Sequence, residues 1–231
     1  ATFFHEFHRH ELGFTSQLIW QNYDKYTVPA TATDPVFDAA SGDVTYRVDG
    51  TEHTALRTKT TEMYTWSRAA NSTTTHKHGI EYGLDFGEIK PLHTSLNISG
   101  AWFHIKRKNE NMPLNYINSS FDYVGVLPSG GGNLRDRFNS TFRLITHIPA
   151  IKMVFTTSVQ VVWYESTQTI YEDENGNSRY YLKSYEDKDY LVVDPVGYYD
   201  KQGHYTAWSQ ADADDADKSR IMHRTQPYLY E

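Results

Sequence analysis

The sequence predicts an all-β fold: an antiparallel transmembrane β-barrel segment of about seven or eight strands. Three observations carry that expectation. Apolar and polar residues alternate with period two on both sides of very short turns. A tryptophan follows each turn by about 10 to 12 residues, the length of a tilted strand that crosses a bilayer. The connections sort into tight turns at one end and long segments at the other, as short periplasmic turns and long extracellular loops do in outer-membrane barrels.

Composition sets the bounds. The 231 residues are 15% aromatic, with 18 Tyr, yet polar on average, which suits strands that alternate and loops that are hydrophilic. The absence of Cys excludes disulfides, thiolate metal sites and cysteine nucleophiles. A formal net charge of -7 argues against nucleic acid as a partner. No apolar run approaches the roughly 18 residues of a membrane helix. With no initiator Met, signal peptide or lipidation motif, the numbering is expected to start inside a longer or processed precursor.

The chain opens with "HEFHRHE", three imidazoles and two carboxylates in seven residues. A helical zinc pair needs two His four apart, but His5 and His8 are three apart and Arg9 stands where the second ligand would be. As a strand, His8 and His10 would share a face and still need a third ligand. The stretch reads instead as a tight polar turn between a strand at about 2–8 and a second at 11–22, so no metal site is expected. The second arm sets Leu12, Phe14, Leu18 and Trp20 against Gly13, Thr15, Gln17 and Gln21. Residues 51–69, with Met63, Tyr64 and Trp66, fit either an extra strand or the first long loop.

The next hairpin is the clearest. Ile80, Tyr82, Leu84 and Phe86 oppose Glu81, Gly83, Asp85 and Gly87; after "EIKPLH", Leu96, Ile98, Gly100 and Trp102 alternate with Ser95, Asn97, Ser99 and Ala101. A third pair turns at "HIPAIK", after which Met153, Phe155, Thr157, Val159, Val161 and Trp163 share a face against Thr156, Ser158 and Gln160. A last strand is expected at about 220–231.

Measured from the turns at His10, Leu92 and Ile151, the residues Trp20, Trp102 and Trp163 fall at one height. They are the candidate membrane-interface girdle. The apolar set (Leu84, Phe86, Leu96, Ile98, Phe155, Val159, Val161) would face lipid. Asp85, Asn97, Ser99, Arg143, Ser158 and Gln160 would face the lumen. Seven strands is an odd number, whereas a closed bacterial barrel needs an even one. A partial barrel spanning 1–231 is therefore expected, its edges paired by another chain or by further sequence.

The long loops are expected at about 23–75, 108–135 and 166–219. Asn175-Gly176 signals a hairpin that projects as a ribbon. "LPSGGGN" lacks the Lys-Ser/Thr of a phosphate loop and reads as a flexible loop tip. "ADADDADK" lacks the Gly and terminal Glu of a calcium loop, so Asp212, Asp214, Asp215 and Asp217 read as a solvated acidic face. No Gly-x-Ser-x-Gly elbow or paired-carboxylate arrangement occurs, so neither an enzyme nor a cofactor is expected.

The stretches "YGLDFGEIKPLHTSLNISGAWFHIKR", "NMPLNYINSSFDYVGVLPSGGGNLRDRFNSTFRLITHIPAIKMVFTTSVQVVWYES" and "YEDENGN" together resemble the C-terminal barrel region of TonB-dependent outer-membrane receptors of the Bacteroidota type. The resemblance spans most of the chain and is strongest from about residue 76 to 177; its motifs are strand and turn patterns. It implies a 22-stranded barrel with an N-terminal plug, importing a scarce nutrient across the outer membrane of a Gram-negative bacterium with energy delivered by TonB. The chain departs from that family in having no recognisable plug, no TonB-contacting segment and only about a third of the strands. The partners implied are the lipid bilayer, the remainder of the barrel and its plug, TonB reached through that plug, and a surface lipoprotein. Two other classes fit the residues: a non-transporting outer-membrane barrel subunit of a surface or secretion complex, and a soluble β-rich binding module.

Overall fold

Where alternation runs on without Pro or Gly to stop it, the backbone runs on as strand, and this chain holds several such runs. The computed structural model describes residues 1–185 and 188–230. In chain order the strands are β1 (Thr2–Thr27), β2 (Thr33–Asp38), β3 (Asp43–Val48), β4 (Thr51–Thr54), β5 (Leu56–Ile89), β6 (Thr94–Asn109), β7 (Leu114–Asn115), β8 (Tyr123–Val126), β9 (Gly131–Ile148) and β10 (Met153–Tyr171). Then follow β11 (Tyr181–Tyr185), β12 (Lys188–Val193), β13 (Gly197–Asp200), β14 (Tyr205–Ala207), β15 (His223–Thr225) and β16 (Tyr228–Tyr230), with one short helix, α1 (Gln210–Asp214), before β15.

The fold is mostly antiparallel β. Its main sheet, ordered β1-β5-β6-β9-β10-β16, curls as a half barrel. No helix among the described residues is long and apolar enough to cross a membrane, which bears only on helices. At one end of the sheet the connections are two matching tight turns, Lys90–Leu92 and Pro149–Ile151. Each is a single 3₁₀ turn with a Pro at its first or second position, Pro91 and Pro149, and is closed by a residue in the left-handed region, His93 at φ 46° and Lys152 at φ 52°. At the other end the connections are long and carry the three smaller sheets, β2-β3-β4, β14-β13-β8-β7 and β11-β12-β15.

The opening departs from expectation. "HEFHRHE" is not a turn: β1 is one strand of 26 residues, paired with β5 from Thr2↔Glu81 to Thr27↔Leu56. What marks the spot is a pair of offsetting bulges. Between His8 and Glu11 β1 carries an extra residue, with His10 at φ 56°; between Glu11 and Leu12 the extra residue is on β5, at Ser72. A Cβ on Gly13 would lie 2.3 Å from Thr73 Oγ1 and 2.6 Å from Ser72 Oγ, so glycine leaves these two hydroxyls room at the bulge. Residues 56–69 are therefore strand, the upper half of β5.

Two consequences follow. The segments 2–8 and 11–22 count as one strand, so the main sheet has five long strands and the short β16, and the odd count no longer stands. The sheet is nevertheless open, since among the described residues β1 has β5 as its only sheet neighbour, and β16 meets β10 only at Thr167 and Gln168. Of the last expected strand, 220–231, residues 223–225 join β12 and 228–230 join β10, while Glu231 lies outside the described residues.

The buried core lies in the long connections. The fully buried side chains there are Val124, Val192, Val193 and Ile221, with Leu127, Tyr198 and Met222 nearly so. These residues make a folded lobe at the loop end of the sheet. Met63, also fully buried, belongs to β5 where the lobe rests on it. Asn175-Gly176 does form a tight turn, with Gly176 at φ 82° and the Asp173 carboxylate accepting from the backbone N–H of Asn175 and Asn177. It closes only the bridge Glu172↔Ser178, and the ribbon beyond is made by β11 and β12 instead.

"LPSGGGN" is tightly packed where a flexible tip was expected. A Cβ on Gly130 would lie 1.9 Å from the Glu172 carbonyl oxygen, and one on Gly132 1.9 Å from that of Arg107. Gly130 also sits at φ +88°. Gly130→Ala thus meets both a clash and an unfavourable backbone, and should cost at least about 2 kcal/mol. Thermal loss of the β circular-dichroism signal should move down by several degrees relative to Gly176→Ala, whose Cβ would meet nothing. Equal midpoints for the two variants would contradict this packing.

Candidate functional site

Cross-strand register turns the alternation of each strand into rows that run across the whole sheet. On one face, reading from the tight turns upward, come Thr94–Thr146–Phe155, then Leu96–Leu144–Thr157, then Leu84–Ile98–Phe142–Val159, then Tyr82–Gly100–Ser140–Val161. The next row crosses five strands and is almost wholly aromatic: Phe3–Ile80–Trp102–Phe138–Tyr164. Above it the chemistry changes at once to His5–His78–His104–Asp136, and then to Phe7–His76–Lys106.

Nothing in the described residues covers the apolar part of this face. Leu84 is 53% exposed, Phe155 48%, Val159 50% and Trp163 56%. From Ile148 to Phe138 on β9, ten steps of about 3.4 Å at a tilt of about 40° give a band about 25 Å tall, the height of a barrel's lipid-facing belt.

The opposite face is polar along the same strands. Asp85, Asn97, Arg143 and Ser158 make one row, and Gly83, Ser99, Thr141 and Gln160 the next. The six residues expected on the polar face are thus brought together in two adjacent rows. Higher on this face Glu165 pairs with both Arg135 and Arg137, and Glu6 with Lys77 at 3.6 Å.

Of the three tryptophans, two hold their expected relation and one does not. Trp102 lies in the aromatic row, and Trp163, in a bulge between Val162 and Tyr164, adjoins it. Trp20 pairs with Met63, and the run of β5 from Met63 to Ile80 sets it about 55 Å along the strand from the Trp102 row. The cause is the missing turn: the distance from His10 to Trp20 was measured from a bulge inside a strand. Trp20 belongs to the lobe, its indole N–H donating to the Asp200 carbonyl at 3.3 Å and its ring set edge-on to Tyr199.

One polar residue in the row below Trp102 is well concealed. Ser140, 3% exposed, takes a hydrogen bond from Trp163 Nε1 at 2.7 Å and shares another with the Tyr82 hydroxyl. Tyr82 reaches it by lying across Gly100, where a Cβ would come 2.5 Å from its ring. The glycine makes room for the ring and the ring covers the serine.

The lobe rests on the paired stalk of β1 and β5. Met63 is fully buried there and its N–H donates to Ser119 O at 3.4 Å. Lys201 ties the end of β13 to the loop before β8 through Ser120 O at 2.9 Å and Asp122 at 2.6 Å. Asn115 Nδ2 donates to Ile221 O at 2.7 Å, joining β7 to the segment before β15.

The acidic run does not behave as one solvated face. Asp212 is buried: it accepts from the Ser209 N–H at 3.0 Å and hydroxyl at 2.6 Å, and pairs with Lys218 Nζ at 2.6 Å. Asp215 accepts from the N–H of Asp217 and Lys218, while Asp214 and Asp217 remain exposed. Among the described residues no three His, Asp or Glu side chains stand together as a metal site. Comparison of the chain with protein-family models, curated proteins and solved structures finds no match.

The Asp212 site has a pH consequence. The hydrogen bonds from Lys218 and Ser209 hold its carboxyl down to about 2, against an ordinary value near 4. A depressed carboxyl contributes stability that is complete above about pH 4 and is lost as pH falls from there toward 2. Amide exchange in α1 and the segment to Ile221 should therefore quicken across that window, by an opening free energy on the order of 1–2 kcal/mol. Asp212→Asn should already exchange faster at pH 7 and show little further change on acidification. An unaltered pH profile in the variant would contradict the assignment.

Proposed function

We propose that the chain forms part of the wall of a TonB-dependent outer-membrane receptor that imports a nutrient, as its resemblance to that family implies. The observation that carries the reading is the uncovered apolar band, about 25 Å tall, closed above by an aromatic row and a belt of His, Lys and Asp. Lipid chains cover the band. Trp102 and Trp163 stand at the outer interface, and Trp20 plays no part there. The rows of Asp85, Asn97, Ser99, Arg143, Ser158 and Gln160 face the water-filled lumen, and the tight turns at Lys90–Leu92 and Pro149–Ile151 lie on the periplasmic side. Further strands pair with β1 and with the free length of β10, and a plug within the completed barrel links it to TonB. The lobe forms part of the mouth that captures substrate.

A folded lobe with its own buried core favours one second reading, a barrel subunit of a surface complex whose lobe grips a protein partner and which transports nothing. Dependence of nutrient uptake on TonB separates the two readings.

Paired lysine substitutions test the wall itself. Val159→Lys and Ile98→Lys, near the middle of the apolar band, should each cost about 2–4 kcal/mol of membrane-inserted stability, while Ser158→Lys and Ser99→Lys, one residue away on the other face, should cost less than about 1. Folding titrations in lipid vesicles read this directly. Equal penalties on both faces, or a protein that stays monodisperse in buffer without detergent and ignores vesicles, would overturn the proposal in favour of a soluble β-rich module.

A further inference from the structure

Directly above the aromatic row, on the same face, the strands present an open cavity of about 330 Å³ lined by His5, His76, His78, His104, Lys106 and Lys108. None of these six carries a carboxylate. The rings are close: the His78 centroid lies 4.7 Å from that of His104 and 6.3 Å from that of His5. His78 also stands edge-on to Trp102 at 5.9 Å, so the cavity floor is continuous with the aromatic row and with the apolar band below it.

The surrounding acids hold the rim without filling the cavity. Asp136 pairs with His104 Nδ1 at 2.8 Å, and Glu172 pairs with Lys106 at 2.6 Å and with Lys108. Arg9 lies over the Phe7 ring at 4.7 Å, beside the upper edge. The groups facing the cavity are thus four imidazoles and two ammonium groups against two carboxylates, with Arg9 adjacent. Burial pushes the His76 imidazole below its ordinary value, and repulsion from His5, Lys106, Lys108 and Arg9 pushes it the same way. An anion placed here would relieve that repulsion.

We propose that this cavity binds the phosphate headgroup of an anionic lipid whose acyl chains lie along the apolar band below. The inference rests on the reading of that band as lipid-facing. Position selects a lipid over a free anion: the basic groups begin one row above Trp102, at the level where headgroups meet an aromatic girdle, and acyl chains continue onto Tyr82, Leu84 and Ile98 without a break. Two lysines and the imidazoles around them then meet one phosphate through charge-assisted hydrogen bonds.

The test uses the full chain in a neutral detergent, offered phosphatidic acid, phosphatidylcholine or inorganic phosphate, with retained lipid read by native mass spectrometry. Phosphatidic acid should be retained about tenfold more than phosphatidylcholine, since the lysines stand at the surface where anionic headgroups are attracted. Its addition should move the His76 ring resonances toward the protonated position at fixed pH. The variant Lys106→Gln should lose several-fold of the preference, and His78→Gln with His104→Gln most of the rest, whereas Lys183→Gln in β11 should change nothing. Equal retention of the two lipids, or an unaltered preference in Lys106→Gln together with unmoved His76 resonances, would overturn the headgroup site while leaving the membrane wall standing. Equal response to inorganic phosphate at the same concentration would overturn the lipid assignment in favour of a soluble anion. A chain that retains neither lipid and needs no detergent would overturn the wall itself.

Discussion

A sheet one layer thick has no second layer on which to bury its apolar face, and the architecture of this chain turns on that constraint. Half-exposed Leu, Val, Phe and Trp side chains each leave about 1 kcal/mol of burial unrealised in water, so a face carrying about ten of them forgoes on the order of 10 kcal/mol, as much as the whole stability of a typical domain. Such a face must be covered. Its upper edge ends within one row, from Trp102 to His104, and the Ser140 hydroxyl in the row below Trp102 is hidden under Tyr82 and Trp163. Those details match a hydrocarbon covering, in which a bare hydroxyl finds no partner, more closely than a second protein layer that could donate a hydrogen bond to it.

The chain divides its labour accordingly. The wall between the tight turns and the aromatic row has two chemically opposite faces and little buried interior. The lobe has the buried core, assembled from short pieces of the long connections around Val124, Val192, Val193 and Ile221. The junction between them is where an added Cβ would clash most closely with backbone, at Gly130 and Gly132 against Glu172 and Arg107, and where Glu172 binds the two lysines of β6. Burial pushes the Glu172 carboxyl up, but the hydrogen bonds and charge of Lys106 and Lys108 outweigh it and draw it below the ordinary carboxylate range. The ion pair therefore persists through neutral pH and fixes the start of the lobe to the top of the wall.

The hairpins 78–108 and 137–166 were legible because period two, sustained over ten residues and broken by a Pro-bearing turn, has few other meanings. The polar rows were legible for the same reason: once Asp85 and Asn97 alternate with Leu84 and Ile98, a register that keeps the apolar residues together also aligns the polar ones. The opening was misread because a bulge and a turn share their local signature, a polar residue at positive φ; only the distant partner strand, which meets His8 with Thr75 and Glu11 with Thr73, tells them apart. Trp20 was misplaced as a direct result. The lobe escaped notice because its core comes from runs such as "YVGV", "YLVV" and "IM", each too short to show a period. The basic cavity was half visible: "HEFH" drew attention as a metal candidate, but of its two histidines only His5 lines the cavity, and it does so beside His78, His104 and Lys106 of the neighbouring strands.

The central claim, that hydrocarbon covers the apolar face up to the Trp102 row and no further, is tested most directly by depth-resolved quenching of single-tryptophan variants in bilayers of brominated lipids. The account predicts strong quenching of Trp102 and Trp163, deepening as bromine is placed nearer the headgroup end of the chain, and none for Trp20 or Trp208. Equal quenching of all four, or none at Trp102 and Trp163, would contradict it.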